Sequence, residues 1–355
     1  MERVANSLYL IIAAAVFGWT WASPGVTAAH FARPLLDYTH MAVGMWAVGG
    51  LILVCCALLR QALTGGSGPR LAFLRHWVAD HWRESRFAHV LGPVLAFVVT
   101  MASFTVHKTV ALPAQGFGAG WDAAFIALDR WLFLGAEPWR VSHGVLSSAE
   151  ATWLIDRIYH AWFYPMILAY VFCGLMIRGA LARACYIATY LASWGLIGCV
   201  LAVVFASAGP VYEGLLFEAA GEYDALSARL AAQSQAMGGL DSRLYQQVLL
   251  EGHEAGRVAL GFGISAMPSM HVALAAMWAM LFFSLNRWLG LLGTAYTVVI
   301  WVGSFHLGWH YAADGLVSGG LVVVVWAAAS ALLRRFAPAP GPWYARPSRA
   351  MQPAE

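Results

Sequence analysis

Charged residues are scarce in this chain. Asp, Glu, Lys and Arg make up 11% of the 355 residues, whereas hydrophobic residues make up 61% and the mean hydropathy is +0.66. Soluble domains carry about 25% charged residues. A soluble protein of this length could bury a core without being so apolar, so the excess apolar surface belongs in contact with lipid. The composition excludes an ordinary soluble enzyme and favours an integral membrane protein.

The sequence also lacks the marks of other protein classes. The net charge is only +3, which is too small to predict nucleic-acid binding. The five cysteines lie in or beside apolar stretches without metal-like spacing, so neither a disulfide framework nor a metal site is predicted. There is no internal repeat, and the one biased tract is a short Pro-rich tail after Phe336.

Long apolar runs dominate what is present. At roughly 20 residues per span, they predict about eight transmembrane helices. The runs are 7–25, 41–59, 88–106, 155–177, 184–206, 269–285, 289–306 and 315–333. The first is interpreted as a retained span rather than a cleaved signal. The predicted fold is an all-α, polytopic membrane helical bundle. It forms a single integral membrane domain over 1–335, followed by a cytoplasmic Pro-rich tail over 336–355.

Arginines are concentrated in alternate loops. Arg75, Arg183, Arg287 and Arg334 follow the second, fourth, sixth and eighth predicted spans, whereas the connection over 207–268 is acidic. Cytoplasmic loops are enriched in Lys and Arg. Both termini are therefore predicted to be cytoplasmic, and the expected location is a bacterial cytoplasmic (inner) membrane.

Two long connections are predicted on the outer side. Residues 107–153 have the composition of an interfacial helix lying flat on the membrane. Residues 207–262 contain helical patterns over 223–237 and 240–250, which predict a two-helix cap over the outer surface. The alternative is a solvated insert with no role in substrate access. The phosphatase-like catalytic core, whose basis follows, is expected over 87–335.

The first chemically competent cluster runs from Ser304 to Asp314. If this stretch is helical, His310 and Asp314 lie four residues apart on one face. A carboxylate bonded to one imidazole nitrogen fixes the tautomer and leaves the other nitrogen more basic, which is the role of the orienting group in a nucleophile–base triad. Ionisable groups at membrane depth are costly, so such a pair points to function.

The second cluster lies over residues 263–271. Pro268 near a helix start and Ser269 as a possible N-cap put free backbone amides at the outer surface. Such a helix end attracts phosphate oxygens, and His271 in the same turn could donate a proton. Lys108, after the third predicted span, falls on the same face.

The separation of the clusters indicates that they meet. About two spans of roughly 20 residues separate His271 from His310, so the chain returns to the same depth on the same face. Each group alone has a structural alternative: a membrane histidine is often only hydrogen-bonded, and Lys108 could snorkel to the interface. Their matched depth predicts a catalytic site.

These residues resemble a known family. Pro268, Ser269 and His271 match the Pro-Ser-x-x-His motif of the type 2 phosphatidic acid phosphatase superfamily, and residues 308–314 resemble the Gly-x-His-x-x-x-Asp end of its third motif. Lys108 matches the lysine of the first motif, but no Arg-Pro follows it. The third motif usually begins Ser-Arg, where this chain has Gly-Ser.

The departures resemble the branch that contains inositol phosphorylceramide synthases. That branch keeps both histidines and the aspartate but lacks the arginine of the third motif. The stretch from Trp121-Asp122 to Trp139-Arg140 and the pair Gly209-Pro210 also look like it. The resemblance covers roughly 105–330.

The resemblance implies a division of roles. His310 would attack phosphorus to form a phosphohistidine, His271 would protonate the leaving alcohol, and Asp314 would steady His310. A phosphoryl-transfer state needs cations or amides around its equatorial oxygens. The candidates for this phosphate site are Lys108, the amides near Ser269, and His306, with Arg130, Arg140 and Arg257 as further ones.

The predicted function is a lipid phosphoester enzyme that passes a phosphoryl group or phospho-headgroup to a lipid alcohol or to water. A plain lipid-phosphate phosphatase is the alternative within this chemistry. A metal-dependent membrane oxygenase, with His306, His310 and Asp314 on one helix face, and a non-catalytic transporter are the alternatives of other classes. No cofactor or metal is predicted, and the expected partners are bilayer lipids and not nucleic acid.

Overall fold

The regular structure is helical throughout the residues that the computed structural model describes, namely 2–63, 72–76, 79, 86–117, 119–176, 180–216 and 221–336. The all-α prediction is confirmed. The main helices are α1 (Glu2–Trp21), α2 (Ala28–Leu63), α3 (Arg86–Val106), α4 (Ala119–Leu132), α5 (Pro138–Val145), α6 (Ala149–Ala161), α7 (Phe163–Met176), α8 (Ala180–Gly195), α9 (Pro210–Leu216), α10 (Asp224–Met237), α11 (Asp241–Glu254), α12 (Met270–Leu285), α13 (Arg287–His306) and α14 (Ala312–Arg334).

Six helical segments in the described part of the chain are long and apolar enough to cross a membrane. They are α1, α2, α3 with its extension (Val90–Gln115), α8 with its extension (Ala180–Val204), α13 and α14. Helix α12 is also apolar but shorter. The chain is therefore a helical membrane bundle, and the number eight stays a prediction.

The predicted span over 155–177 is not one continuous helix. Helix α6 ends at Ala161 and α7 begins at Phe163, with Trp162 in a turn between them. Pro165 explains the interruption, because a proline has no N–H to donate to the carbonyl four residues earlier, which is that of Ala161. Asp156, Arg157 and His160 lie in α6, before the break, and only α7 is apolar throughout.

Helix α3 extends beyond the end of its predicted span. Helix α3 passes through a π-helical segment, His107–Ala111, and continues as Leu112–Gln115. Helix α8 likewise passes through a π-helical segment, Leu196–Leu201. The first nine residues of the connection predicted to be interfacial therefore belong to a membrane helix. Lys108 lies inside the first π-helical segment, at a type of helix irregularity that is frequent at functional sites.

Helices α12 and α13 form the hairpin that positions the two motif histidines. The turn is at Asn286, whose side chain caps α13 by accepting a hydrogen bond from the Trp288 amide at 2.8 Å. Helix α13 ends at His306, and Gly308 then adopts a φ of +76°, as is common just beyond a helix end. The start of α12 and the end of α13 consequently lie together, as the spacing predicted.

The cap helices agree with the sequence patterns. Helix α10 lies within 223–237, and α11 extends the second pattern to Glu254. Asp156 on α6 accepts hydrogen bonds from the amides of Asp241 and Ser242 at 2.7 and 2.9 Å, which anchors the first turn of α11. Apart from Phe336, the predicted tail lies outside the described residues.

Candidate active site

A cavity of about 710 Å³ lies where the motif residues meet. Its lining includes Lys108, His271 and His310 together with residues of the cap helix α11. This volume is in the range of small-molecule sites, roughly 300–1,000 Å³. Three of the side chains singled out in the sequence thus face one space, although they come from α3, α12 and the loop before α14.

His310 is held in the loop between α13 and α14, not on a helix face. Its backbone amide donates to the Ser304 carbonyl at 3.1 Å. Its Nδ1 lies 2.7 Å from the Ala266 carbonyl oxygen and 3.4 Å from Asp314 Oδ2. A carbonyl oxygen only accepts, so in the neutral ring Nδ1 carries the proton and Nε2 keeps its lone pair.

Asp314 lies in the first turn of α14 and is fully buried. Its Oδ2 accepts a hydrogen bond from the Tyr311 amide at 3.0 Å. The Asp314 carbonyl is 3.5 Å from the Ser269 amide nitrogen, so the starts of α12 and α14 are in direct contact. The carboxylate therefore fixes the loop as well as the imidazole of His310.

Ser269 is the N-cap of α12, as predicted, and its hydroxyl accepts a hydrogen bond from the Val272 amide at 3.4 Å. The amides of the two preceding helical positions, Met270 and His271, have no partner within the helix. They form the amide-rich helix end that the sequence predicted. Ser269 itself is buried and is not part of the cavity lining.

The imidazole of His271 is held by aromatic neighbours. Tyr159 stacks on it with a centroid distance of 4.7 Å, and Trp162 packs at 4.3 Å. Trp162 Nε1 also donates to the His271 carbonyl at 3.0 Å. The rings of His271 and His310 are 5.7 Å apart, centroid to centroid. One phosphoryl group between them can contact both rings.

Lys108, which the sequence suggested as a phosphate-binding cation, lines the cavity. Its ammonium lies 5.8 Å from the ring centroid of Phe104. Gly263 packs against it, because a Cβ at Gly263 would lie 2.6 Å from Lys108 Cγ and 2.9 Å from its carbonyl oxygen. Gly263 also has a φ of +98°. Both this φ and the close approach of Lys108 require a glycine at this position.

The structure does not bring His306 into the cavity. Its Nε2 is 2.9 Å from Thr152 Oγ1 and its Nδ1 is 3.0 Å from Ser142 Oγ. His143 stacks on it at 3.7 Å and donates from Nε2 to the His306 carbonyl at 3.0 Å. Burial lowers the pKa of His143 to about 4, so its ring is neutral at pH 7. This position supports a structural role, not the phosphate contact assigned from sequence.

The arginines chosen from the sequence do not line the cavity either. Arg130 pairs with Glu137 and Glu222, and Arg140 pairs with Glu137. Arg257 is not among the lining residues. Arg157, which sequence reasoning passed over, does line the cavity. Its position inside a predicted apolar span was the available signal, because a charge there is costly without a role.

Two aspartates of α4 also escaped sequence reasoning. Asp129 accepts hydrogen bonds from the amides of Ala312 and Ala313, both at 2.8 Å. Asp122 accepts from the amides of Ala208 and Gly209 at 3.0 and 2.9 Å. Burial raises the pKa of the Asp129 carboxyl to about 7, although the two amides partly offset this. Asp129 therefore holds the start of α14, just after His310, and Asp122 holds the loop before α9.

The geometry does not support the helix-face metal arrangement. Because α13 ends at His306, this residue, His310 and Asp314 do not share a helix face. Among the described residues, side chains close enough to hold a metal are Asp156, His160 and Asp241 instead. The Asp156 carboxylate already accepts two backbone amides, and the Asp241 carboxylate pairs with Arg157.

A family model described as PAP2 superfamily matches residues 123–330, which is more than half of the chain and includes both motif histidines and Asp314. Lys108 lies before the matched region. No curated protein and no solved structure matches the chain.

Proposed function

The chain belongs to the PAP2 superfamily, and we propose that it is a lipid phosphotransferase with a phosphohistidine intermediate on His310. Membership supports a membrane phosphoesterase of the phosphatase type that acts on lipids. Membership in the superfamily does not identify the acceptor or establish the covalent intermediate, and both are part of the proposal. The likeness of residues 105–330 to inositol phosphorylceramide synthases, seen in the motifs, supports a lipid alcohol as the acceptor.

The observation that carries the proposal is the tautomer of His310. Its Nδ1 donates to the Ala266 carbonyl at 2.7 Å, and the nearby carboxylate of Asp314 stabilises positive charge on the ring. Nε2 is then the unprotonated nitrogen, on a ring that lines the cavity. An imidazole oriented in this way is an activated nucleophile.

The first step transfers the phosphorus from the lipid to the enzyme. The Nε2 lone pair of His310 forms an N–P bond while the bond from phosphorus to the lipid oxygen breaks. The departing alkoxide takes a proton from His271, whose ring is 5.7 Å from that of His310. The products are a phosphohistidine and a free lipid alcohol.

The second step is the reverse with another alcohol. The hydroxyl oxygen of the acceptor attacks phosphorus, the N–P bond breaks, and the electron pair returns to His310 Nε2. His271, now unprotonated, takes the hydroxyl proton and is ready for the next cycle. Lys108 and the amides of Met270 and His271 stabilise the equatorial oxygens, as preorganised donors do in phosphoryl transfer.

The lining of the cavity supports a lipid acceptor. Besides the catalytic groups it includes Met41, Met101, Phe104, Met166 and Trp194. These side chains belong to α2, α3, α7 and α8, of which α2, α3 and α8 are among the candidate membrane-spanning helices. An apolar lining favours the tail of a lipid alcohol and offers few hydrogen bonds to water. The proposal puts the site on the outer face, which the enrichment of arginines in alternate loops supports, because such loops are typically cytoplasmic.

Mass spectrometry of lipids tests the function. The purified protein is incubated in mixed micelles with phospholipid donors and with diacylglycerol and ceramide as acceptors. New phospholipids built on an added acceptor support transfer, whereas a water-soluble phospho-headgroup (inorganic phosphate from a monoester donor) as the sole second product assigns water as the acceptor. His310→Ala should abolish both. His76→Ala, at an exposed histidine away from the cavity, is the matched control and should retain activity.

A trapped intermediate tests the roles of the histidines. With ³²P-labelled donor, acid-labile label should accumulate on His310, most readily in a His271→Ala background, where the second step lacks its base. Label on His271 that persists in His310→Ala would show that the two roles are reversed.

A further inference from the structure

The loop between α13 and α14 is hydrogen-bonded to the cap insert, the segment over 207–262. Gln246 on α11 donates from Nε2 to the Leu307 carbonyl at 2.9 Å. The Val211 amide on α9 donates to the next carbonyl, that of Gly308, at 3.2 Å. The insert contributes none of the proposed catalytic groups, yet it holds two successive carbonyls of the loop that carries the proposed nucleophile.

Helices α9, α10 and α11 of the insert all contact this loop. A Cβ at Gly308 would lie 2.5 Å from Val211 Cγ2 on α9 and 3.2 Å from Leu226 Cδ2 on α10. The indole Nε1 of Trp309 donates to Ser242 Oγ on α11 at 3.2 Å. These contacts leave no room for a side chain at Gly308, so the insert fixes the path that the chain takes towards the nucleophile.

The base of the insert holds the hydrogen-bond partner of His310 as well. The Ser207 carbonyl accepts from the Ala266 amide at 3.0 Å, and the Ser207 hydroxyl accepts from the Met267 amide at 3.1 Å. The Ala266 carbonyl is in turn the acceptor for His310 Nδ1 at 2.7 Å. Both sides of the hydrogen bond that orients the imidazole are thus fixed by residues of the insert.

Helix α11 joins this loop to the cavity. Asp241, Tyr245 and Leu249 line the cavity, and they share a helix face because they follow one another at intervals of four residues. Ser242 and Gln246, each one position farther along, form the adjacent face and contact the loop. One helix therefore contacts both the space for the lipid and the segment that carries the nucleophile.

The burial of Gln246 indicates that its amide group serves to hold the loop. The residue is 2% exposed. A carbonyl oxygen only accepts, so the amide nitrogen of Gln246, not its oxygen, faces Leu307. Among the described residues, Gln246 Oε1 is buried without a hydrogen-bond partner, which costs free energy. A methionine would fill a similar volume without that cost, so the hydrogen bond to Leu307 is what a glutamine provides here.

Resting on the proposed function, we propose that Gln246 is a positioning residue for phosphoryl transfer and that the cap insert is part of the catalytic apparatus. The hydrogen bond from Gln246 to the Leu307 carbonyl keeps His310 Nε2 in line with the phosphorus of the donor. Without that bond the loop shifts while the cavity keeps its lining, so lipid binding is retained and the chemical step slows. A displacement of about 1 Å at a reacting group costs roughly 10²-fold in rate.

Single-turnover phosphorylation of His310 tests this role. A ³²P-labelled bacterial phospholipid extract, supplemented with ³²P-labelled phosphatidic acid, is mixed with the protein in detergent micelles. The rate of acid-labile labelling at saturation is measured, together with the lipid mole fraction that gives half of that rate. In Gln246→Met the rate at saturation should fall by about 10- to 100-fold, whereas the half-saturating mole fraction should stay within about threefold of wild type.

Gln246→Glu is the conservative variant. A protonated carboxyl can donate its O–H to the Leu307 carbonyl, whereas a carboxylate has nothing to donate. The labelling rate of Gln246→Glu relative to wild type should therefore fall as the pH rises from about 5 to about 9. The relative rate of Gln246→Met should not depend on pH. Should Gln246→Met fail to fold, the pH dependence of Gln246→Glu decides between a positioning role and none.

Gln247→Met is the matched control, because Gln247 is exposed on α11, bonds to Glu251 and is not in the cavity lining; its labelling rate should equal that of wild type. An equal loss in Gln247→Met, or an unchanged rate at saturation in a Gln246→Met protein that loses only thermal stability or lipid affinity, would overturn the positioning role and leave the proposed function intact. If wild-type His310 takes no label from these lipids, the proposed function fails and the positioning role fails with it.

Discussion

The hydroxyl of Tyr311 donates a hydrogen bond to Asp122 Oδ1 at 2.8 Å, although 189 positions separate the two residues. The same oxygen accepts from the Gly209 amide at 2.9 Å. Tyr311 directly follows His310, and its own amide bonds to Asp314 at 3.0 Å. One carboxylate on α4 therefore joins the loop that carries the proposed nucleophile to the loop before α9.

Loss of Asp122 should impair catalysis through the position of His310. Asp122→Ala leaves two buried amides and the Tyr311 hydroxyl without their acceptor, and a displacement of about 1 Å at a catalytic group costs roughly 10²-fold in rate. We expect kcat to fall by about that factor. Tyr311→Phe should have a smaller effect, and the double variant should lose less than the two single losses combined, because the variants share one interaction.

The control for this cycle is Asp37→Ala, which removes an ion pair between two residues that do not line the cavity, Arg33 and Asp37. Steady-state kinetics and thermal unfolding of all four proteins separate positioning from stability. Full additivity of the Asp122 and Tyr311 effects would contradict a shared role.

His306 and His310 should respond in opposite ways to substitution. His306→Asn breaks contacts with Thr152 and Ser142, and a buried polar group left unsatisfied costs about 1–3 kcal/mol. We expect a lower Tm but near wild-type turnover per folded molecule. His310→Ala should keep its Tm within a few degrees and lose turnover by several orders of magnitude. A severe loss of kcat in well-folded His306→Asn would return this residue to the phosphate site.

The contrast between these histidines shows where sequence reasoning succeeds. The apolar runs outside 155–177, the Ser269 cap and the hairpin of α12 and α13 follow from short-range signals in the sequence, and the structure agrees with them. The placement of His310 and Asp314 on one helix face assumed that the helix continues past His306, but α13 ends there and Gly308 has a φ of +76°. The roles of Asp122 and Asp129 depend on hydrogen bonds from backbone amides that are distant in sequence. A sequence pattern does not show which amides a carboxylate will bind.

Thiol labelling in intact cells tests the orientation. Cysteines are introduced at Arg75 and Gln235, both exposed, after replacement of the exposed Cys55 and Cys56 by serine. A membrane-impermeant maleimide should label position 235 in the cap but reach position 75 only after permeabilisation. Equal labelling of both positions in intact cells would contradict an outer-face cap and cytoplasmic arginine loops.

Helix α4 has the polarity expected of a helix at the bilayer surface. Its inward side buries Asp122 and Asp129, whereas Trp131 is 75% exposed and Leu134, just beyond its end, is 97% exposed. Apolar side chains with aromatic rings on the outer side fit the headgroup region. A fluorophore at Trp131→Cys, with Cys55 and Cys56 again replaced, should be quenched by nitroxide lipids in nanodiscs. A fluorophore at Gln235→Cys is the control, and equal quenching at both positions would argue against interfacial contact.

Substitution of Lys108 tests the phosphate site. This is the part of the active site in which the chain departs most from the superfamily motifs. If its ammonium neutralises the phosphate, Lys108→Met removes a charge that stabilises the transition state more than the bound substrate. Both kcat and kcat/KM should then fall, by about 10²–10³-fold for one such donor. Lys108→Arg should recover part of the loss, since it restores the charge but not the geometry of an ammonium.

Gly263→Ala perturbs Lys108 through the residue that packs against it. The added methyl would lie 2.6 Å from Lys108 Cγ, and a φ of +98° disfavours any side chain at this position. We expect a kcat intermediate between wild type and Lys108→Met, with a lower Tm, and no further loss of kcat when Gly263→Ala is added to Lys108→Met. If Lys108 only anchors α3 to lipid headgroups, Lys108→Met keeps turnover within about threefold of wild type. The charge on phosphorus would then be balanced by the amides of Met270 and His271, with Arg157 as the remaining cation of the cavity.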